Sequence, residues 1–205
     1  MLNRKNQLIQ QLIEHTAQLA SVGMTPATSS NFSARLDNSY CLITVSGRDK
    51  GKLTRDDFME VDMDGTAVDA SQTSSAETLL HTQIYQLRPE ANVVLHTHSL
   101  AQTLLSMRFA QAGKIEFSGY ELQKAFSDIK THQSCVCLPI VENSQDMLAL
   151  CESVQPLFEQ ANFWGYLIAG HGIYTWGKDM LEARRHLDAF EFLLQAELTK
   201  LSFKS

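Results

Sequence analysis

The chain reads as a three-layer α/β/α sandwich around a mixed sheet. Three observations lead there. Stretches with apolar residues at helical spacing alternate with short apolar runs of strand length. Turn signals separate the two kinds of segment. The 205 residues suffice for one domain with a sizeable core, with 44% hydrophobic and 20% charged residues as in an ordinary globular protein. Helices interleaved with strands cover both faces of a sheet.

The elements follow in order. Leu8, Leu12, Ile13, Leu19 and Ala20 form one apolar face, so residues 3–22 read as a helix that Gly23 stops. A polar turn leads to strands over 31–36 and 40–45, then to the loop Ser46-Gly47-Arg48-Asp49-Lys50-Gly51. Residues 58–63 form a strand ending at the turn pair Asp64-Gly65. Ser74-Ser75-Ala76-Glu77 fits a capping box and opens a helix to about residue 87. Val93-Val94-Leu95 is a short buried strand, and Ser99 caps a helix over 100–110. Residues 111–133 lack periodicity and read as irregular, with a short helix near 121–127. A strand over 135–140 precedes a helix over 144–160, kinked at Pro156. Strands at 165–169 and 173–176 lead to a long C-terminal helix, opened by Asp179-Met180-Leu181-Glu182 and apolar at Leu187, Phe190, Leu194 and Leu198. No repeats, linkers or low-complexity segments divide the chain, which reads as a single domain over 1–205.

The net charge of −6 disfavours sequence-independent nucleic-acid binding, which needs a basic surface. No apolar stretch reaches the ~20 residues that span a bilayer, and the N-terminus carries no signal-peptide pattern. Cys41, Cys135, Cys137 and Cys151 form no CxxC pair, so free thiols in a reducing cytoplasm are expected. Cys135 and Cys137 share a strand face, but no second pair completes a metal site.

The chemistry centres on His96-Thr97-His98 at the end of the buried strand. Residues i and i+2 of a strand share a face, so both imidazoles point the same way at the mouth of the sheet. His171, between Gly170 and Gly172 after another apolar run, is the third ligand candidate. Three imidazoles with an open position suit a catalytic metal of the zinc type. His15, His81, His132 and His186 read as ordinary surface or core residues, although His81 lies one helical turn after Glu77. Glu77 fits the helix cap and equally an acid near the metal. Ser74 and Ser75 at a helix start offer hydroxyls and amides to an anion. Glu121 is an ordinary surface glutamate on pattern alone. The Ser46–Lys50 loop suits an anion as well as a plain hairpin turn, and the same holds for Ser29-Ser30-Asn31.

Taken in order, Ser30-Asn31-Phe32-Ser33-Ala34-Arg35, Thr44-Val45-Ser46-Gly47, Ser75-Ala76-Glu77-Thr78-Leu79-Leu80-His81, His96-Thr97-His98-Ser99 and Gly170-His171-Gly172 resemble the class II aldolase family of sugar-phosphate aldolases, epimerases and dehydratases. The resemblance covers nearly the whole chain and departs at Ser30, where the family usually has Gly. It implies a mainly antiparallel central sheet and one Zn2+ per subunit on His96, His98 and His171. It implies phosphate contacts from Asn31, Ser46, Gly47, Ser74 and Ser75, and a homotetramer with sites between subunits. Gly119-Tyr120-Glu121 with Lys124, and Gly172-Ile173-Tyr174-Thr175-Trp176-Gly177, favour the dehydratase branch, with Glu121 as its acid/base. Glu77 matches the base of the aldolases, with a fourth zinc contact or a helix cap as its other readings. Those aldolases often carry a catalytic Tyr near the C-terminus, whereas the last Tyr here is Tyr174. A non-enzymatic scaffold with a vestigial site is the rival from another class.

Overall fold

The computed structural model describes residues 2–203. The elements in chain order are α1 (Leu2–Ser21), β1 (Asn31–Arg35), β2 (Tyr40–Thr44), β3 (Phe58–Asp62), α2 (Thr78–Leu87), β4 (Val93–Thr97), α3 (Leu100–Phe109), β5 (Lys114–Phe117), β6 (Val136–Val141), α4 (Met147–Val154), β7 (Gly165–Ile168), β8 (Ile173–Gly177) and α5 (Met180–Ser202). Eight strands form one sheet in the order β3-β2-β1-β4-β8-β7-β6-β5. Only β6 and β7 pair in parallel, so the sheet is mixed and mainly antiparallel.

Helices cover both faces, as expected. On one face Leu12 and Leu19 of α1, Leu105 of α3, and Leu187, Phe190 and Leu194 of α5 pack on Phe32, Leu95 and Ile173. On the other, Leu80 and Ile84 of α2 and Leu150 and Val154 of α4 pack on Ile43, Val94, Tyr166 and Tyr174. This explains the continuous apolar run of β4: a central strand covered on both faces has no solvent side to leave polar. Helix caps follow the expected chemistry at α3, where Ser99 accepts from the Gln102 amide, and at α5, where Asp179 accepts from the Glu182 amide.

Three expectations are corrected and one is refined. Residues 111–133 contain β5, a four-residue edge strand that sequence pattern misses because it is so short. Its exposed Lys114 and Glu116 alternate with buried Ile115 and Phe117. The short helix near 121–127 is a 3₁₀ turn over Glu121–Ala125. The helix over 144–160 ends at Val154 and continues as 3₁₀ over Gln155–Glu159, because Pro156 lacks the amide that α-helical bonding needs there. The capping box at Ser74–Glu77 does not form. α2 starts at Thr78, Glu77 makes no capping bond, and the Ser74 hydroxyl donates to the Gly65 carbonyl instead.

Candidate active site

The ligand-bearing residues gather at one end of the sheet. β4 delivers His96, and the chain leaving it delivers His98. The β7–β8 turn delivers His171, with Gly170 in the left-handed region at φ +67. One candidate ligand atom from each imidazole lies within 4.8 Å of the other two. Gly172 makes this approach possible: a Cβ there would stand 2.2 Å from the Thr97 carbonyl and 3.1 Å from His96 Cε1.

His96 is fully buried and stacks on Tyr174 at 4.1 Å between ring centroids. Its Nδ1 donates to the Ile173 carbonyl at 2.9 Å, which fixes the tautomer and leaves Nε2 with a bare lone pair. That Nε2 has no hydrogen-bond partner although it is buried. Burial holds His96 well below its ordinary pKa, and burial with the neighbouring His171 lowers His98 to about 4. A neutral imidazole with an unpartnered buried nitrogen, as at His96, is what a divalent metal requires, and with His98 and His171 converging on it these residues fit the metal centre that the sequence suggested. Among the described residues, no other group of His, Cys, Asp and Glu has this convergence, Cys135 and Cys137 included.

Glu77 has turned from the helix start towards the triad. Its Oε1 lies 2.9 Å from His171 Nε2 and 3.9 Å from His96 Nε2, and its Oε2 accepts from Asn31 Nδ2 at 2.5 Å. Burial pushes its carboxyl pKa up, but the His171 hydrogen bond, the two imidazoles and the Asn31 amide outweigh it and hold it well below the ordinary range. These contacts engage both carboxylate oxygens away from the helix start, and the capping box is absent.

The anion-binding candidates border the same end. Asn31 pairs with His96 across β1 and β4, and the β1–β2 register, continued past Thr44, brings Ser46 level with that edge. Ser46 and Gly47 are exposed, and Ser74 and Ser75 half-buried. The Asn31 side chain is committed to Glu77 and His81. The α2 amides of Thr78, Leu79 and Leu80 are bonded to the Ser75, Ala76 and Glu77 carbonyls, so these amides are not free for an anion. Ser30 adopts φ +75, a left-handed conformation that suits the glycine usual there.

Two further neighbours stand here: Lys50, which the sequence reading did not single out, and His81, which it placed one helical turn from Glu77 and near the site. Lys50 is 1% exposed, and its ammonium donates to the Thr28 and Arg48 carbonyls, stitching together the two loops that flank Asn31 and Ser46. His81 is fully buried and bonds Asn31. Its spacing from Glu77 was the available signal; Lys50 had only its place in a cationic loop.

Glu121 is elsewhere. It follows the edge strand β5, which stands four strands from β4, about 19 Å at ~4.8 Å per strand. Its side chain is 69% exposed and pairs with Lys124 and, at 3.2 Å, with His132. One chain therefore does not bring Glu121 to its own triad.

The sequence profile described as "Class II Aldolase and Adducin N-terminal domain" matches residues 10–198. A protein of Stenotrophomonas maltophilia (strain R551-3) named methylthioribulose-1-phosphate dehydratase is 54% identical over 195 residues, covering 95% of this chain and 92% of the relative. One of the same name from Xanthomonas campestris pv. campestris (strain 8004) is 53% identical over 202 residues, covering 98% and 93%. Among solved structures, an L-fuculose 1-phosphate aldolase superposes with a TM-score of 0.79 at 19% identity, over 97% of this chain and 88% of its own. The L-fuculose-1-phosphate aldolase from Thermus thermophilus gives 0.74 at 22% identity, over 97% of both chains. At these identities the structural likeness speaks for the fold alone.

Proposed function

The chain belongs to the class II aldolase family, and from that premise we propose that it removes water from 5-methylthioribulose 1-phosphate, giving 2,3-diketo-5-methylthiopentyl 1-phosphate in methionine salvage. The observation that carries the reading is the convergence of His96, His98 and His171 with Glu77 set against them. His96, His98 and His171 would hold zinc. When bound, it supplies Lewis acidity that polarises a ketone and stabilises the enediolate charge beside it.

The chain's own groups do the rest. Glu77 is ionised and stands at the face of the triad, positioned to take the proton from carbon 3 next to the ketone. The hydroxyl on carbon 4 then leaves and needs a proton, since hydroxide is a poor leaving group. Glu121 supplies that proton. Because it lies far from its own triad, it does so at the site of a neighbouring copy. In one chain, Lys124 and His132 keep its exposed carboxyl low; burial between copies raises it towards an acid's range. The exposed apolar residues Leu100, Leu104 and Met107 on α3, beside His98, are surface such an assembly covers. We assign a homotetramer with sites between subunits. Ser46, Gly47, Ser75, the Ser74 amide and the remaining Asn31 proton hold the phosphate and orient the sugar. A reducing cytoplasmic setting agrees with the four free thiols, and no described helix is long and apolar enough to cross a membrane.

The test is chelation and repletion. Purified protein stripped with a chelator should lose turnover of the ketose phosphate, and stoichiometric zinc should restore loss of one water. Turnover that survives complete metal removal would overturn the reading.

A further inference from the structure

Behind the triad an unbroken run of side-chain hydrogen bonds leads from Glu77 into the core. Glu77 Oε2 meets Asn31 Nδ2 at 2.5 Å, Asn31 Oδ1 meets His81 Nε2 at 2.5 Å, His81 Nδ1 meets Ser33 Oγ at 2.8 Å, and Ser33 Oγ meets the Tyr85 hydroxyl at 2.7 Å. Two spacings build it. Asn31 and Ser33 share one face of β1, two residues apart. Glu77, His81 and Tyr85 follow each other at four-residue steps into and along α2. Asn31, Ser33, His81 and Tyr85 are all buried.

Hydrogen-bond chemistry fixes the direction of every proton. Asn31 Nδ2 donates to Glu77 Oε2, so the Asn31 amide turns its NH₂ towards the carboxyl. Asn31 Oδ1 then faces His81 and only accepts, so His81 Nε2 carries the hydrogen. Burial lowers His81 to a pKa of about 3, so the ring is neutral and Nδ1 is a bare acceptor. Ser33 donates to it, and the Ser33 oxygen in turn accepts from Tyr85. Every hydrogen points towards Glu77.

We propose that His81 is a positioning residue: its Nε2–H locks the Asn31 amide so that Asn31 presents N–H to Glu77, and this holds Glu77 in place against the triad. Without that donor the amide is free to turn over, which sets its oxygen against the carboxylate, acceptor on acceptor. The run ends on a half-buried carboxylate at the mouth of the site. The proposal rests on Glu77 being a working group of that site.

The test compares His81→Phe, which fills the space and deletes both nitrogens, with His81→Gln, whose amide nitrogen falls near Nε2 and donates to Asn31. Both full-length proteins are loaded with zinc. For His81→Phe the expected result is unchanged zinc stoichiometry, little change in KM, and kcat lower by about 10–100-fold, the usual scale for losing an orienting partner at a metal site. His81→Gln should recover most of that loss. Wild-type kcat in His81→Phe overturns the proposal, and so does an equal fall in both variants. Should His81→Phe fail to fold, side-chain ¹⁵N spectra of wild-type protein decide. A neutral Nε2–H tautomer for His81 from about pH 5 to 8 is expected, and an Nδ1–H tautomer overturns the proposal. The spectra need no substrate, so they test the relay whatever reaction the site performs.

Discussion

Gly172→Ala tests how the backbone shapes the metal centre. A Cβ on Gly172 would sit 2.2 Å from the Thr97 carbonyl oxygen, and real Cβ contacts do not fall below 3.0 Å, so about 0.8 Å must be found. Neither atom is the end of a flexible side chain. Thr97 and Ile173 are paired across β4 and β8, so the movement must pass into the strand end that carries His96 and His98. Overpacking of this kind costs about 1–3 kcal/mol, or roughly 2–12 °C in Tm for a domain of this size. Misplaced ligands should weaken zinc by about 10–100-fold, equivalent to about 1.4–2.8 kcal/mol. Gly177→Ala is the control, since its Cβ would stand 2.3 Å from the Ala183 amide at the opposite end of β8. Zinc affinity is read by competition with a fluorescent chelator, and stability by melting of the metal-free proteins. Both variants should lose stability, and only Gly172→Ala should lose zinc affinity. Wild-type zinc affinity in Gly172→Ala, or an equal loss in both, would show that the Gly172 backbone does not shape the metal centre.

Further expectations concern single groups. His96→Ala removes the fixed Nε2, so zinc should no longer copurify and turnover should vanish; an active, metal-free variant contradicts the site. Glu121→Gln should retain zinc and lose dehydration. Mixed and reassembled with His96→Ala, it should regain activity, because some sites then combine an intact triad with an intact Glu121 from the neighbour. Two inactive parents that stay inactive after verified subunit exchange argue against that geometry. His81 titrates near 6.5 when unfolded and about 3 when folded, so the unfolded state binds the extra proton between those values. Its contribution to stability is therefore lost as pH falls below 6.5, at about 1.4 kcal/mol per pH unit. Urea melts of metal-free protein across that window should show a shallower acid limb in His81→Gln than in wild type.

Much of this was legible in the chain because it depends on local spacing. His96 and His98 converge because they are two residues apart at a strand end, and the glycines flanking His171 announce a tight approach. The alternation of helix and strand patterns gave the layers. What escaped depends on tertiary contacts. The Ser74–Glu77 pattern satisfies a helix cap on paper, but His171 and Asn31, distant in sequence, engage the Glu77 carboxylate instead. Lys50 is buried because two loops close over it. β5 was missed because four residues at an edge carry too little periodicity to stand out. Motif match alone pointed to Glu121, and pattern within one chain has no means of placing a residue in a neighbour's site.

The most direct measurement gives zinc-replete protein 5-methylthioribulose 1-phosphate and, in parallel, fuculose 1-phosphate, with products weighed by mass spectrometry. The expected result is a product one water lighter from the first and no cleavage of the second. Cleavage of fuculose 1-phosphate to a triose phosphate and an aldehyde, with no water lost from the first substrate, would contradict it and move this metal site to aldol chemistry.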